Sequence, residues 1–187
     1  MTAPLVLDDI ACVRGGRMLF EGLSLTLAQG EAALVTGANG VGKSSLLRIA
    51  AELLRPAAGH VAAARVALAD GRAALDPELP LRRALAFWGA SDAAVLDDFG
   101  LSALADVPVR LLSTGQRQRA ALARVAMDDV ANGGAALWLL DEPANGLDAA
   151  ATAVLEHHVA RHRDRGGAVM VATHIPVALP GAQVVAL

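Results

Sequence analysis

The chain has no tyrosine, one cysteine and one lysine, and its aromatic content is only 3%. With Cys12 alone no internal disulfide can form, so the fold must rest on a hydrophobic core, and a reducing compartment is the natural one. At 187 residues the chain is long enough to bury such a core as one domain, or as one domain with a small inserted lobe. The segment Met1–Gly16 opens without basic residues and carries Asp8 and Asp9, unlike a secretory leader, so no export is expected. Hydrophobic residues make up 55% and the mean hydropathy is +0.45, yet no uninterrupted apolar run approaches the roughly 20 residues of a membrane span. Alanine supplies much of that excess. The remainder suits buried parallel strands or a face docked on a membrane-embedded partner, and composition favours the first. A net charge of −3 without a Lys/Arg stripe argues against nucleic acid as a partner.

No internal repeat or low-complexity linker is present, and periodicity with glycine and proline punctuation divides what remains. Leu5 to Leu27 alternates in two runs broken at Arg14-Gly15-Gly16-Arg17, as a hairpin-like β segment does, and Ala32 to Thr36 reads as a buried strand. Lys43 to Leu54 has helical spacing, with Pro56 and Gly59 ending it. Pro77 to Val107 is rich in alanine and leucine and poor in β-branched residues, which predicts a small helical lobe. Ser113-Thr114-Gly115-Gln116 has the form of a capping box opening a helix that runs through Ala120 to Met127. The run from Ala136 to Leu140 is a core strand, followed by a helix from Ala149 to His162 and a strand from Ala168 to Ala172. Strands alternating with helices imply an α/β fold with a parallel sheet.

Gly37-Ala38-Asn39-Gly40-Val41-Gly42-Lys43-Ser44 matches the phosphate-binding loop, and it sits where such a loop must, between a strand and a helix. Its glycines let backbone N–H groups turn inward around phosphates, and the helix N-terminus beyond favours negative charge. Lys43 is the only lysine, the other 15 basic residues being arginine: a compact ammonium stands where a point charge must fit beside the β- and γ-phosphates. Ser44 is the candidate magnesium ligand, and Ser45 is either a further phosphate contact or a structural hydroxyl of the helix's first turn. Asp141 and Glu142 close the apolar strand Ala136 to Leu140: Asp141 would hold magnesium through water, and Glu142 would orient or deprotonate the attacking water. Standing alone, two acids before Pro143 would only open a turn. The reading is therefore of a chain that binds and hydrolyses Mg-ATP.

In this order the motifs resemble those of the ATP-binding-cassette (ABC) ATPases, whose fold is a P-loop NTPase core with a small antiparallel β segment and a short helical lobe. Leu112-Ser113-Thr114-Gly115-Gln116 is similar to that family's signature, Asp141-Glu142-Pro143 to its second Walker motif, Asn145-Gly146-Leu147-Asp148 to its D-loop, and His174 to its switch histidine. The resemblance implies one ATPase domain over residues 1–187, with the lobe at about 77–125. It also implies a head-to-tail homodimer in which Ser113, Gly115 and Gln116 of one copy cap ATP held by the other, with His174 on the γ-phosphate. By itself Ser113 is an ordinary N-cap, and both roles are compatible. His157, His158 and His162 share a charged helix with Glu156, Arg161 and Arg163, which predicts a solvated face.

The texts Leu104 to Ser113, Leu137 to Pro143 and Ala172 to Pro176 further resemble the cytochrome c biogenesis ATP-binding subfamily, historically called haem exporter ATPases. That resemblance implies a peripheral ATPase at the cytoplasmic face of the bacterial inner membrane, docked on an integral membrane subunit. Two family features are missing. The family commonly stacks an aromatic of the first β segment on adenine, whereas this chain has no tyrosine and places Arg14 near that point, with Phe20 the other candidate. The glutamine between loop and signature that touches magnesium and senses the partner is absent too, since the glutamines are Gln29, Gln116, Gln118 and Gln183 only. Asp70 or another residue after Val66 must substitute, or that contact does not exist. A soluble ABC regulator and a non-hydrolytic ATP-binding scaffold are the rival readings.

Overall fold

A computed structural model describes residues 3–71, 74–88, 92–131 and 136–187, without the side chains of residues 129–131. Part of the expected lobe, residues 89–91, and part of the stretch searched for a glutamine substitute, residues 72–73, lie outside the described residues.

β1 (Leu5–Arg14) and β2 (Arg17–Leu27) form the expected hairpin, turning at Gly15 and Gly16, both at positive φ. A third strand, β4 (Ala58–Ala63), was not anticipated and pairs with β1 on its other side. Its text, Ala-Gly-His-Val-Ala-Ala, has little β propensity. What holds it is the partner: a Cβ at Gly59 would lie 2.3 Å from Asp9 O, an approach of two backbones that only glycine permits.

The larger sheet is parallel, in the order β5-β6-β7-β3-β8. β3 (Ala32–Thr36), β6 (Leu137–Asp141) and β7 (Ala168–Ala172) coincide with the expected strands to within a residue, whereas β5 (Val66–Ala69) and β8 (Gln183–Ala186) are additions. Alternate side chains of the central strands enter two different cores. Leu137, Leu139, Met170 and Val35 pack with α1 (Lys43–Ala50) and the antiparallel sheet. Trp138, Leu140, Val169 and Val171 pack on the opposite face with α4 (Thr114–Ala131), α5 (Ala149–Asp164) and the lobe. Burial on both faces explains why these strands read as unbroken apolar runs.

The lobe contains α2 (Leu81–Ala86), α3 (Ala93–Asp98) and short 3-10 turns at Ser102–Leu104 and Val109–Leu111. α1 is shorter than expected. It stops at Ala50 because Glu52 turns left-handed at φ 56°, and the N–H groups of Leu53 and Glu52 return to Arg48 O and Ile49 O, leaving Leu53 70% exposed. Proline was not needed to end it.

The expected solvated histidine face of α5 is a correction. His157 is exposed, but His158 and His162 are 6% and 1% exposed. They follow Leu155 at helical spacing, so they belong to the inward stripe with Val159. His162 stacks on Trp138 at 4.1 Å between ring centroids, and His158 stacks on Phe99 while its Nε2 lies 3.1 Å from Asp98 Oδ2. A parallel ring face and one satisfied nitrogen let imidazole replace an aliphatic side chain there.

Candidate functional site

Because all five strands of the larger sheet run the same way, the residues just beyond β3, β5, β6 and β7 emerge at one edge. Pairing of Ala69 with Leu140, and of both Asp141 and Val35 with Ala172, sets Asp70, Asp141 and the loop side by side there.

After β3 the chain turns through Gly37, Gly40 and Gly42 at φ 140°, 81° and 123°. A Cβ on Gly37 would come within 2.7 Å of Leu187 O, and one on Gly42 within 3.0 Å of the Phe20 ring. The loop is thus wedged between the chain's last strand and the antiparallel sheet. Gly42 caps α1 without a side-chain cap bond, which leaves the first N–H groups of that helix for a ligand. Lys43 is 6% exposed, and its Nζ donates to Gly37 O at 2.9 Å and Ala38 O at 3.3 Å. Glu142 Oε1 lies 3.9 Å from the same ammonium.

Two carboxylates face this loop from β6. Asp141 accepts a hydrogen bond from the Ser44 hydroxyl, but burial pushes its carboxyl above the ordinary range and the charge of Glu142 adds to that. Its Oδ1 is buried without a hydrogen-bond partner among the described residues. A hydroxyl and an unsatisfied carboxylate oxygen side by side are oxygen donors of the kind Mg2+ takes, so the residues present fit that ion. Glu142 sits at φ 48°, an uncommon conformation for a side-chain-bearing residue, fixed by its N–H donating to Ala172 O at 2.7 Å. Its Oε2 lies 2.8 Å from His174 Nδ1 and accepts the His174 N–H at 3.3 Å. Loop, Ser44, Asp141, Glu142 and His174 are therefore brought together. A cleft of about 490 Å3, lined by Arg14, Leu19, Asn39, Lys43, Ser44 and Glu142 among others, opens over the loop and Glu142.

The signature residues are not part of this cleft. Ser113 Oγ accepts the Gln116 N–H at 3.2 Å and Gln116 Oε1 accepts the Ser113 N–H at 2.8 Å, so the capping box forms in full and Ser113 stays exposed. Gly115 packs on the turn after β6, where a Cβ would lie 3.1 Å from Gly146 O, and Asp148 caps α5 by accepting the Ala151 N–H. Of the two candidates for the base, Arg14 lines the cleft, whereas Phe20 is committed beneath Gly42. Asp70 closes β5 and pairs with Arg48 at 3.2 Å.

Sequence reasoning overlooked Gln118, whose Nε2 donates to Pro143 O at 3.1 Å and ties α4 to the turn carrying Glu142. It also overlooked Arg48, four residues after Ser44 and so on the same face of α1. That spacing was the available signal. Arg124, 6% exposed inside the helix that runs through Ala120 to Met127, offered none.

The profile of the ABC transporter family matches residues 20–145. The "Cytochrome c biogenesis ATP-binding export protein CcmA" of Sphingopyxis alaskensis is 55% identical, the match covering 96% of this chain and 94% of the relative. The protein of the same description in Novosphingobium aromaticivorans is 53% identical over 98% of this chain and 95% of its own. Among solved structures, an ATP-binding subunit of an ABC transporter superposes with a TM-score of 0.82 at 22% identity, over 93% of this chain and 80% of that one, a likeness of fold.

Proposed function

The chain belongs to the ABC transporter family, among its cytochrome c biogenesis ATP-binding export proteins, and on that premise we propose that it is the Mg-ATP-hydrolysing subunit of a haem-export type transporter serving c-type cytochrome biogenesis. Its place is the cytoplasmic face of the bacterial inner membrane, peripheral to an integral membrane subunit. No helix among the described residues is long and apolar enough to cross a membrane itself.

The observation that carries this reading is the convergence of Lys43, Ser44 and Glu142 on one cleft at one sheet edge, with Asp141 bonded to Ser44 and His174 paired with Glu142. Lys43 and the uncapped N–H groups at the start of α1 take the β- and γ-phosphates. Ser44, and Asp141 through water, would hold the magnesium ion, which would supply charge neutralisation on the phosphate oxygens. Glu142 positions a water for in-line attack on the γ-phosphorus, the bond to the β-phosphate oxygen breaks, and ADP and phosphate leave. His174 steadies the Glu142 carboxylate and stands next to the γ-phosphate. Arg14 supplies the surface for the base. Ser113, Gly115 and Gln116 act on a second copy: at a helix start away from the cleft, with Ser113 exposed, the Ser113 hydroxyl and the Gly115 N–H face ATP across a head-to-tail dimer while Gln116 holds the capped turn in shape.

Co-expression with the membrane subunit, followed by fractionation and ATP turnover, tests the proposal. The expected result is recovery with the membrane and turnover that requires Glu142. A freely soluble chain that crosslinks to no membrane subunit would favour a soluble regulator, and a membrane-bound chain without turnover would favour a scaffold.

A further inference from the structure

Glu142 reaches the cleft from a backbone at φ 48°, and a residue held in so sparsely populated a region persists there only where its surroundings fix it from several sides. Its own N–H donates to Ala172 O at 2.7 Å, and its carbonyl accepts the Asn145 N–H at 3.1 Å. A further hold comes from outside the turn. The side-chain amide of Gln118, on α4, donates to Pro143 O at 3.1 Å and to Glu142 O at 3.4 Å. Both acceptors are carbonyls, so the amide can meet them only through its NH2 group. Pro143 is buried and no backbone N–H among the described residues reaches its carbonyl, so Gln118 meets a need that the main chain leaves open.

Three consecutive side chains of α4 are bound to main-chain carbonyls. Arg117 donates to Leu112 O and Arg119 to Phe99 O, which fasten the helix to the segment before it and to the lobe. Of the three, Gln118 alone is bound to a residue that lines the nucleotide cleft. Gly115, three positions earlier and so on the same helix face, packs against Gly146 O. The turn that carries Glu142 therefore rests on one face of α4 at both its ends.

We propose that Gln118 is a positioning residue for ATP hydrolysis: by donating to Glu142 O and Pro143 O it holds the Glu142 backbone in its left-handed turn and so aims the carboxylate at the attacking water. This role rests on the reading of Glu142 as the group that positions water, and it names the side chain through which α4 acts on that group. Gln118 does not itself line the nucleotide cleft, so the phosphate cradle does not depend on it. Its loss falls on kcat and spares ATP affinity.

The test measures steady-state ATP turnover of the full chain assembled with its membrane subunit, alongside binding of a fluorescent ATP analogue. Gln118→Leu, similar in size but without a donor, should lower kcat about tenfold, the worth of one hydrogen bond, and leave analogue affinity within about twofold of the parent. Gln118→Glu, which faces the two carbonyls with acceptors, should lose at least as much, and Gln118→Arg, which keeps N–H donors, should retain most of the turnover. Because Gln118 acts through Glu142, adding Gln118→Leu to Glu142→Gln should leave the residual hydrolysis unchanged, read in single turnover with radiolabelled ATP. A residue that merely joined helix to sheet would lower both backgrounds alike. Thermal unfolding confirms that each variant is folded, Gln118→Asn, too short to reach, serving if Gln118→Leu is not. Parental kcat in Gln118→Leu, an equal loss of analogue affinity, no rescue by Gln118→Arg, or an additive loss in the Glu142→Gln background overturns the proposal. A parent complex without turnover overturns the reading of Glu142 as well, whereas a complex that depends on Glu142 but not on Gln118 overturns this role alone.

Discussion

Lys43→Arg separates charge from shape at the phosphate loop. Arginine keeps the positive charge, so the attraction to Glu142 across 3.9 Å, about 4 kcal/mol before desolvation at an effective dielectric of about 20, survives the change. The fit does not survive. The ammonium is 6% exposed and rests on Gly37 O and Ala38 O at 2.9 and 3.3 Å, contacts that a single nitrogen can make from inside the loop. A planar fork is bulkier, and overpacking of this kind costs about 1–3 kcal/mol. Here it would fall on the loop, so affinity for a fluorescent ATP analogue should drop by about 10- to 100-fold. Lys43→Met, similar in length but neutral, should lose at least as much. Both variants are measured by analogue fluorescence, with thermal unfolding to confirm folding. If Lys43→Arg binds within about twofold of the parent, shape is irrelevant and the significance given to the lone lysine is wrong.

Glu142→Gln should slow hydrolysis by about 10²- to 10⁴-fold while leaving ATP-analogue affinity nearly unchanged, since it removes the group that positions water and not the phosphate cradle. Gly37→Ala puts a Cβ within 2.7 Å of Leu187 O at φ 140°, so it should destabilise the fold by about 1–3 kcal/mol in urea unfolding and weaken ATP binding with it. Burial lowers the pKa of His158 below its ordinary 6.5, outweighing Asp98, so the unfolded chain takes up the proton first as pH falls. His158 therefore contributes stability above about pH 6.5 that is lost as pH drops toward its folded pKa; melting temperature should decline over that range, and His158→Gln should flatten the decline.

The parts of the site legible in the sequence were those whose residue types have few other uses. Gly37 to Ser44 needs glycines at positive φ and one ammonium, Asp141-Glu142 must end an apolar strand, and Ser113-Thr114-Gly115-Gln116 is a complete capping box. β4, β5 and β8 were missed because alanine dominates the first two and the third is short and largely exposed: pairing with β1, β6 and β3 makes them strands, and pairing is not written locally. The buried histidines were misjudged for a related reason. Arg161 and Arg163 made α5 look solvated, but the face at Leu155, His158 and His162 turns inward, and the Trp138 indole that receives His162 comes from a distant strand. The Arg48–Asp70 pair spans α1 and β5, so nothing in either segment announces it.

On the proposed function the cleft is half of a site, completed by Ser113, Gly115 and Gln116 of another copy. Sedimentation of Glu142→Gln with Mg-ATP measures this directly. A dimer that forms with ATP, dissociates when nucleotide is removed and fails to form in the Glu142→Gln/Ser113→Arg double variant is the predicted result. A chain that binds ATP under these conditions yet stays monomeric, or a dimer indifferent to Ser113, would contradict it.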